Sequence, residues 1–280
     1  MAWLNPAFMT YNAAIDDPNV TADPWTAVGA IDASYPTTNL HDLRAQTQCR
    51  WTSAATTHSI TLDRVASGSS YSVNALALAN TNLFAKSLLV EADTTTAFSG
   101  SQDTIFGTPT TGTTIFAPVS GGWQFYPLTS TIKRYIRVSF PTTSVAPQIG
   151  QLWFTYLTEM TRGPVQNWQQ TTETDRTVLP SGASLHNRDR LKRIGFEWRK
   201  LSATDALGVR HVVDGVAGYT GVKHDGNRPV LVRYPYGTAA ADSTLTLMNV
   251  TRYSESADTE VPADDAYLAR IELELTETKQ

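Results

Sequence analysis

A nearly uninterrupted apolar run over residues 73–79, VNALALA, constrains the fold more than any other stretch of this sequence. It follows a Ser/Gly-rich segment and ends at Asn80-Thr81-Asn82, and a second apolar run, Leu88-Leu89-Val90, comes soon after. Apolar runs this short, set between turn residues, are typical of strands that are buried on both faces. Together with the short threonine-rich segments around them, they predict an antiparallel β-sandwich.

The composition indicates a lightly charged globular protein. Hydrophobic residues make up 41 % of the 280 residues and charged residues 17 %, and Thr, Ser, Trp and Tyr are abundant instead. Threonine and aromatic side chains fit the half-buried surface of a sheet. The net charge of −4 argues against nucleic acid as a partner, because phosphate binding needs a basic face. The densest basic cluster, residues 188–193, is interpreted as a solvated or inter-subunit surface.

The single cysteine, Cys49, excludes an intrachain disulfide and argues against a zinc–thiolate cluster. The first residues, MAWLNPAFMTYN, lack the basic start and the long apolar stretch of a signal peptide. No run reaches the roughly 18 apolar residues of a membrane helix. We therefore expect a protein that is made in the cytoplasm, does not insert into a membrane and owes its stability to packing.

Residues 1–27 predict an extended N-terminal arm with room for one strand. Several Asn-Pro and Asp-Pro pairs, which start turns and interrupt periodic structure, divide this segment. Its apolar anchors are aromatic: Trp3, Phe8, Tyr11 and Trp25. Aromatic side chains on an arm without its own core must be buried elsewhere, and both the body of the protein and a neighbouring subunit remain open as the burying surface.

Residues 28–160 carry a series of strand patterns separated by turn signals. In 58–63, Ile60 and Leu62 alternate with polar residues, as one face of a strand requires. The Thr/Gly/Ser-rich passage 93–122 predicts loops or loosely held hairpins, and two further strands are predicted after it, at 135–140 and 149–157. With no convincing helix, this segment predicts an antiparallel sandwich or jelly roll.

The order of these motifs carries a resemblance. They are Asn39-Leu40, Arg50-Trp51-Thr52-Ser53, 59–63 (SITLD), 73–78 (VNALAL), 134–138 (RYIRV) and 149–153 (IGQLW). Their succession resembles a discoidin-type (galactose-binding-like) jelly roll and, more closely, the version found in virion proteins of long-tailed bacteriophages. The resemblance covers about residues 28–158. It implies a discoidin-like fold and a place in a phage tail, at the tail tip or baseplate.

Residues 161–280 predict a smaller β-rich domain with one short helix. Gly163-Pro164 interrupts the chain after the sandwich, and Ser202 to Asp205 resembles a capping box that introduces a helix near 203–217. Strands are predicted around this helix at 193–199, 229–235, 244–250 and 270–276. In the last of them Ile271, Leu273 and Leu275 alternate with polar residues, which is the clearest strand pattern in the chain.

Residues suited to catalysis or metal binding are scattered. The histidines are His41, His58, His186, His211 and His224, and none forms an H-x-x-x-H or H-E-x-x-H pair. The sequence contains no G-x-S-x-G elbow and no P-loop or dinucleotide fingerprint. Cys49 is interpreted as a small buried apolar residue. We therefore predict that the protein is not an enzyme and needs no cofactor or metal.

Aromatic residues leave sugar binding as a possibility. Jelly-roll lectins present Trp and Tyr from loops at one end of the sandwich, and candidates of this type are Trp51, Trp123, Phe125 and Tyr126, with Gly121-Gly122 as a flexible approach. For Trp51 the alternative is a place in the core, because its strand motif is part of the fold pattern. For Trp123 both interpretations stay open.

Two main hypotheses for the function follow. The first is a structural subunit of a tailed-phage virion, located in the tail, with copies of itself and other tail proteins as partners. The alternative is a receptor-binding module that holds host surface glycans, and one protein could do both. A glycan-degrading enzyme is the least favoured hypothesis and would need turnover by the purified protein to support it.

Overall fold

The structure is a computed structural model, and the part of the chain that it describes is interrupted in several places. It comprises residues 6–9, 12–16, 21–44, 46–55, 57–64, 72–83, 86–98, 100, 102–108, 113–114, 123–141, 145–160, 169–173, 176–178, 184–186, 191–214, 229–234, 244–257 and 269–277. These residues form two compact units. The sandwich unit contains the described residues from 12 to 157, and the second unit contains 6–9 and those from 158 to 277.

Nearly all regular structure in both units is β. The elements in chain order are β1 (Ala7–Met9), α1 (Ala13–Asp16), β2 (Trp25–Val28), a 3-10 helix (Thr37–Leu40), β3 (Cys49–Arg50), β4 (Ser59–Asp63), β5 (Val73–Thr81), β6 (Ser87–Asp93), β7 (Asp103–Phe106), β8 (Thr113–Thr114), β9 (Trp123–Thr131), β10 (Tyr135–Ser139), β11 (Gln148–Thr155), β12 (Leu157–Glu159), β13 (Gln169–Glu173), β14 (Arg176–Val178), β15 (Ser184–His186), β16 (Leu191–Leu201), α2 (Ala203–Asp214), β17 (Val230–Tyr234), β18 (Thr244–Ala257) and β19 (Ala269–Glu277).

Two antiparallel sheets enclose the core of the sandwich unit. The larger sheet has the order β2-β4-β10-β6-β7, with β8 also paired to β6, and the smaller sheet has the order β3-β11-β5-β9. Because side chains alternate between the faces of a strand, Ile60 and Leu62 in one sheet and Leu76 and Leu78 in the other meet in a single buried cluster. This arrangement confirms the predicted antiparallel β-sandwich.

Strand β5 is buried on both faces, as its apolar run predicts. Leu76 and Leu78 lie in the core, whereas Ala75, Ala77 and Ala79 lie on the opposite, outer face and are also buried. The alanines are partnered by β11 on one side and by β9 on the other. The small side chains of Ala75, Ala77 and Ala79 form a surface that is called here the alanine floor. Bulkier residues of β11 and β9 lie on either side of it.

The structure differs from the predicted arm over residues 1–27, because the two described strands of this segment belong to different units. Strand β1 pairs with β17 in the second unit, where Phe8 is completely buried. Strand β2 pairs with β4 at the edge of the larger sandwich sheet, where Trp25 is buried. Burial of these aromatic rings and pairing of both backbones favour this division. Trp3 and Tyr11 lie outside the described residues.

A seven-stranded antiparallel sheet forms the second unit. Its order is β12-β1-β17-β18-β19-β16-β13, and β14 and β15 form a separate pair. The alternating residues Ile271, Leu273 and Leu275 of β19 are all completely buried in its core, as their pattern predicts.

The sandwich unit ends at residue 157, three residues before the predicted boundary at 160.

Helix α2 begins where its capping pattern predicts. The Ser202 hydroxyl accepts a hydrogen bond from the Asp205 backbone N–H at 3.2 Å and donates one to the Asp205 carboxylate at 2.9 Å. These bonds satisfy groups that the first turn of a helix leaves unpaired. The described helix ends at Asp214, and residues 215–217 of the predicted range lie outside the described part. None of the described helices is long and apolar enough to span a membrane.

Candidate functional site

Trp51, the first of the predicted sugar-binding aromatic residues, lies in the core. It is completely buried, and its indole N–H donates to the Val28 carbonyl at 2.9 Å. Its ring meets the edge of Phe140 at a centroid distance of 5.7 Å. A ring that is enclosed in this way offers no face to a sugar. Trp51 therefore occupies a place in the core, which was the alternative to sugar binding.

The other three predicted aromatic residues follow one another on β9 and point to opposite faces. Tyr126 points inward, where burial raises the pKa of its hydroxyl and the hydroxyl donates to Gln124 Oε1 at 3.1 Å. Trp123 and Phe125 share the outer face, but Trp123 is only 1 % exposed. Only Phe125 keeps part of its surface, being half-buried. The strand therefore does not assemble an open aromatic platform.

The outer face of the smaller sheet is a packing surface. Trp123 meets Trp153 of β11 edge to face at 5.6 Å, and the alanine floor lies between their strands. Near one end of this face, the Gln151 side chain donates to the carbonyls of Asn39 and Arg44 and to the Asp42 carboxylate, at 2.7–3.2 Å. The hydrogen bonds between Gln151 and the segment 39–44 stabilise the sandwich, and so does the burial of both indoles. Trp123 therefore contributes to packing.

An open group of polar and aromatic side chains lies at the edge of the smaller sheet. It consists of Tyr35, Arg50 and Gln148, each half-buried, and is called here the Tyr35 corner. The Arg50 guanidinium carbon lies over the Tyr35 ring, 4.4 Å from its centroid. Arg50 and Gln148 are directly opposed across β3 and β11, which places their side chains side by side on one face.

Backbone and amide hydrogen bonds hold the Tyr35 corner in place. The Arg50 N–H donates to the Tyr35 carbonyl at 3.2 Å, and the Arg50 carbonyl accepts from Asp32 N–H at 2.9 Å. The Asn82 side chain accepts from the Gln148 N–H at 2.9 Å and donates to the Ala146 carbonyl at 2.9 Å. The three side chains of the corner therefore project from a backbone that is fixed before any ligand arrives.

Arg50 is the unusual member of this group, because its guanidinium has no hydrogen-bonding partner among the described residues. Its Nε is buried and unpaired. Arginine N–H groups at buried positions are normally satisfied, since an unpaired buried donor costs roughly 1–3 kcal/mol. Sequence patterns already indicate that Arg50 points outward, because its neighbours Cys49 and Trp51 both enter the core. What the sequence does not show is that the Arg50 Nε has no hydrogen-bonding partner among the residues that the structure describes.

The two histidines whose side chains the structure describes, His41 and His58, each make a separate hydrogen bond within the sandwich. His58 is buried, and its Nε2 bonds the Ser53 carbonyl at 2.8 Å, so this nitrogen carries the proton. His41 accepts a hydrogen bond at Nδ1 from the Trp25 indole at 2.9 Å. The side chains of His186 and His211, and all of His224, lie outside the described part of the chain. Within that part, no three His, Cys, Asp or Glu side chains converge as metal ligands.

His41 makes the stability of the sandwich depend on pH. Burial lowers the pKa of His41 below its ordinary value of 6.5, against the upward pull of the Asp23 carboxylate. Below pH 6.5 the unfolded chain therefore takes up a proton that the folded chain resists, and stability falls as the pH drops towards the folded-state pKa.

We expect the free energy of unfolding of the wild type to fall more steeply than that of His41→Gln between pH 7 and 5. The excess slope is at most about 1.4 kcal/mol per pH unit, the limit for one proton. Urea denaturation at several pH values, followed by tryptophan fluorescence, measures both curves. Parallel curves would contradict the assignment of this pH dependence to His41.

Cys49 matches the predicted buried apolar residue. It lies in the core of the sandwich, and burial raises the pKa of its thiol to about 12. The thiol therefore stays protonated at neutral pH, whereas thiolates are the reactive and metal-binding form.

Comparisons with known proteins give structural neighbours only. No family model matches the chain, and no curated protein is significantly similar in sequence. Chitosan-binding module 1, from a chitosanase/glucanase of Paenibacillus sp. IK-5, has a TM-score of 0.38 and 19 % identity, covering 52 % of this chain and 98 % of that one. The module CpGH89CBM32-4 of Clostridium perfringens has a TM-score of 0.34 and 13 % identity, covering 51 % and 97 %.

A pectin-binding carbohydrate-binding module has a TM-score of 0.36 and 12 % identity, covering 50 % of this chain and 92 % of its own. All three likenesses have TM-scores below 0.5 and identities below 20 %. Similarity this low does not transfer a function, so any function has to be argued from the residues of the site.

Proposed function

We propose that this protein is a non-catalytic glycan-binding protein and that the Tyr35 corner is its binding surface. The observation that carries the proposal is the half-buried Arg50 guanidinium, which lies over Tyr35 beside Gln148 and has no hydrogen-bonding partner in the described part of the chain. Aromatic rings provide apolar area for the C–H face of a sugar, while arginine and amide groups bind its oxygens.

The corner has the properties of a binding site that is formed in advance. Its backbone is held by hydrogen bonds to Asp32 and Asn82, so binding does not need to order a loop, and the entropic cost of association is reduced. The donors of Arg50 are directed by a planar, charged group, which binds oxygen acceptors more strongly than a neutral donor does. These features support binding without providing a nucleophile or an acid–base pair.

The proposal is tested by screening the purified chain against a glycan array that holds neutral and acidic oligosaccharides, followed by calorimetric titration of each ligand found. We expect Tyr35→Ala and Arg50→Gln each to weaken binding by at least about tenfold, because each removes a principal contact. The titrated glycan should be recovered unchanged, since the proposed function involves no turnover.

Arg44→Gln is the matched control, because Arg44 is exposed and lies outside the corner in the same part of the sandwich. It should bind like the wild type. Near-ultraviolet circular dichroism of each variant separates loss of contact from loss of fold. Binding to no glycan on the array, or equal binding by the wild type and both corner variants, would contradict the proposal.

The virion role remains a prediction that rests on the resemblance in sequence. The described residues contain no feature specific to a tail-tip or baseplate subunit, and the comparisons name no virion protein among the neighbours given above. A glycan-binding protein is compatible with that role. The molar mass of the purified chain, measured by light scattering, would show whether it associates with copies of itself as that hypothesis expects.

A further inference from the structure

We propose that the glycan bound at the Tyr35 corner is acidic and that a carboxylate or sulfate group on it binds the edge of the Arg50 guanidinium. This inference rests on the proposed function and names its ligand class. It is carried by a comparison among three arginines of the same sandwich, each of which lies over an aromatic ring: Arg50 over Tyr35, Arg134 over Tyr135 and Arg137 over Phe98.

Arg134 and Arg137 show what this sandwich does with an arginine that lies over a ring. Arg134 donates through Nε and Nη2 to the two carboxylate oxygens of Asp63, at 2.7 and 2.9 Å. Arg137 donates through the same two nitrogens to the Glu91 carboxylate, at 3.2 and 2.8 Å. In both arginines, an aromatic ring lies against the face of the guanidinium, and a carboxylate binds its Nε edge.

Arg50 has the ring contact, but no carboxylate of the described residues forms an ion pair with it. Its distance to the Tyr35 centroid, 4.4 Å, lies between those of Arg137 and Arg134 to their rings, 4.1 and 4.7 Å. Its Nε is buried without a hydrogen-bonding partner among the described residues. Because Arg50 as a whole is only half-buried, the part of its guanidinium that reaches the surface, rather than the buried Nε, is left to bind an acidic group from outside the chain.

The carboxylate of Asp32, whose backbone is hydrogen-bonded to Arg50, does not fulfil this role. Asp32 is hydrogen-bonded to Arg50 only through the backbone, and its carboxylate accepts from the Ser34 N–H at 2.9 Å. No ion pair joins Asp32 and Arg50 in the described structure. A guanidinium edge matches a group with two oxygens better than a single hydroxyl, because two parallel N–H···O bonds form at once. An acidic sugar is therefore favoured over a neutral one.

The test uses pairs of oligosaccharides that differ only in the acidic group. Uronic acid oligosaccharides are compared with their methyl esters, and sulfated oligosaccharides with their desulfated forms, by calorimetric titration at pH 7 and low salt. We expect wild-type protein to bind the acidic member about 10- to 100-fold more tightly. The two kinds of pair distinguish a carboxylate ligand from a sulfate ligand.

Two Arg50 variants localise the preference. Arg50→Gln should bind both members of a pair equally within about twofold, because it removes the charge. Arg50→Lys keeps the charge but lacks the planar edge, so it should bind the acidic member at least about fivefold more weakly than the wild type. Arg44→Gln should keep the full preference, which excludes a general effect of surface charge.

The outcomes separate this inference from the proposed function. Equal binding of both members by the wild type, with both weakened in Arg50→Gln, would overturn the acidic ligand and leave glycan binding intact. A preference for the acidic member that survives in Arg50→Gln would also overturn it. Wild-type affinity in Arg50→Lys would overturn the two-bond contact. Failure of every glycan to bind would overturn the proposed function and this inference together.

Discussion

Phe8→Ala is expected to lower the free energy of unfolding of the second unit by about 3–5 kcal/mol, the usual cost of removing a fully buried phenylalanine side chain. Phe8 is completely buried and meets the rings of Phe196 and Trp198 at centroid distances of 6.0 and 6.4 Å. Residues near the start of the chain therefore complete a core that is formed mainly by its second half. A free N-terminal arm would show no such effect.

Hydrogen exchange followed by mass spectrometry can localise this loss. Protection should fall in peptides that cover β16 and β19 and remain unchanged in peptides that cover β5 of the sandwich. Leu207→Ala is the matched control, because this apolar residue of α2 in the same unit is 42 % exposed and its truncation should cost less than about 0.5 kcal/mol. Unchanged protection of β16 in Phe8→Ala would contradict the placement of β1.

Gly29→Ala is expected to lower the free energy of unfolding of the sandwich by about 2–5 kcal/mol, the sum of backbone strain and overpacking. A methyl group at this position would lie 2.2 Å from Nδ1 of His58 and 2.9 Å from Cδ1 of Trp51. The φ angle of Gly29, +97°, adds a backbone cost for any residue with a side chain. Both neighbours are buried, so they have little room to move away.

Gly100→Ala separates the two causes. Gly100 has a similar φ of +86°, but a methyl group there would meet nothing within 4 Å. Its cost should be limited to the backbone part, about 1–2 kcal/mol. Urea denaturation of both variants measures the difference, which represents the crowding around His58 and Trp51. Equal destabilisation by the two substitutions would show that this crowding is absent.

Local sequence patterns predicted strands such as β5 and β19 well, because the cause of these patterns is local. The apolar run of β5 and the alternation of Ile271, Leu273 and Leu275 follow directly from the side-chain period of a strand. The place of β1 could not be predicted in the same way. Its partner, β17, lies more than 200 residues later in the chain, and a three-residue strand carries no information about which distant edge it joins.

The candidate site was less predictable, because it depends on which face each residue occupies. Trp123 and Tyr126 are both buried although they lie on opposite faces of β9, since the smaller sheet is covered on its outer face as well as its inner one. A sequence pattern alone does not show this second covering. For Trp51, the strand motif correctly indicated the core as the alternative.

The Tyr35 corner was missed for a different reason. Tyr35 lies in a turn segment before the 3-10 helix and Arg50 lies in β3, 15 residues later, and their contact results from the hydrogen bonds between these segments. The important property of Arg50 is that its Nε has no hydrogen-bonding partner in the described part of the chain, which only coordinates can show. The one signal in the sequence was the position of Arg50 between Cys49 and Trp51, two residues suited to the core. This position indicates that Arg50 points outward, but it does not indicate a binding site.

The most direct test of glycan binding at the Tyr35 corner observes the Arg50 Nε–H itself. In ¹⁵N–¹H spectra, its signal can be assigned by its loss in Arg50→Gln and followed while the tightest-binding oligosaccharide of the array is added. We predict that the Arg50 signal shifts, because the guanidinium that carries this N–H binds the glycan, whereas the Nε–H signals of Arg134 and Arg137, already bonded to carboxylates, stay unchanged. An unchanged Arg50 signal at saturation would place the glycan elsewhere and contradict this assignment.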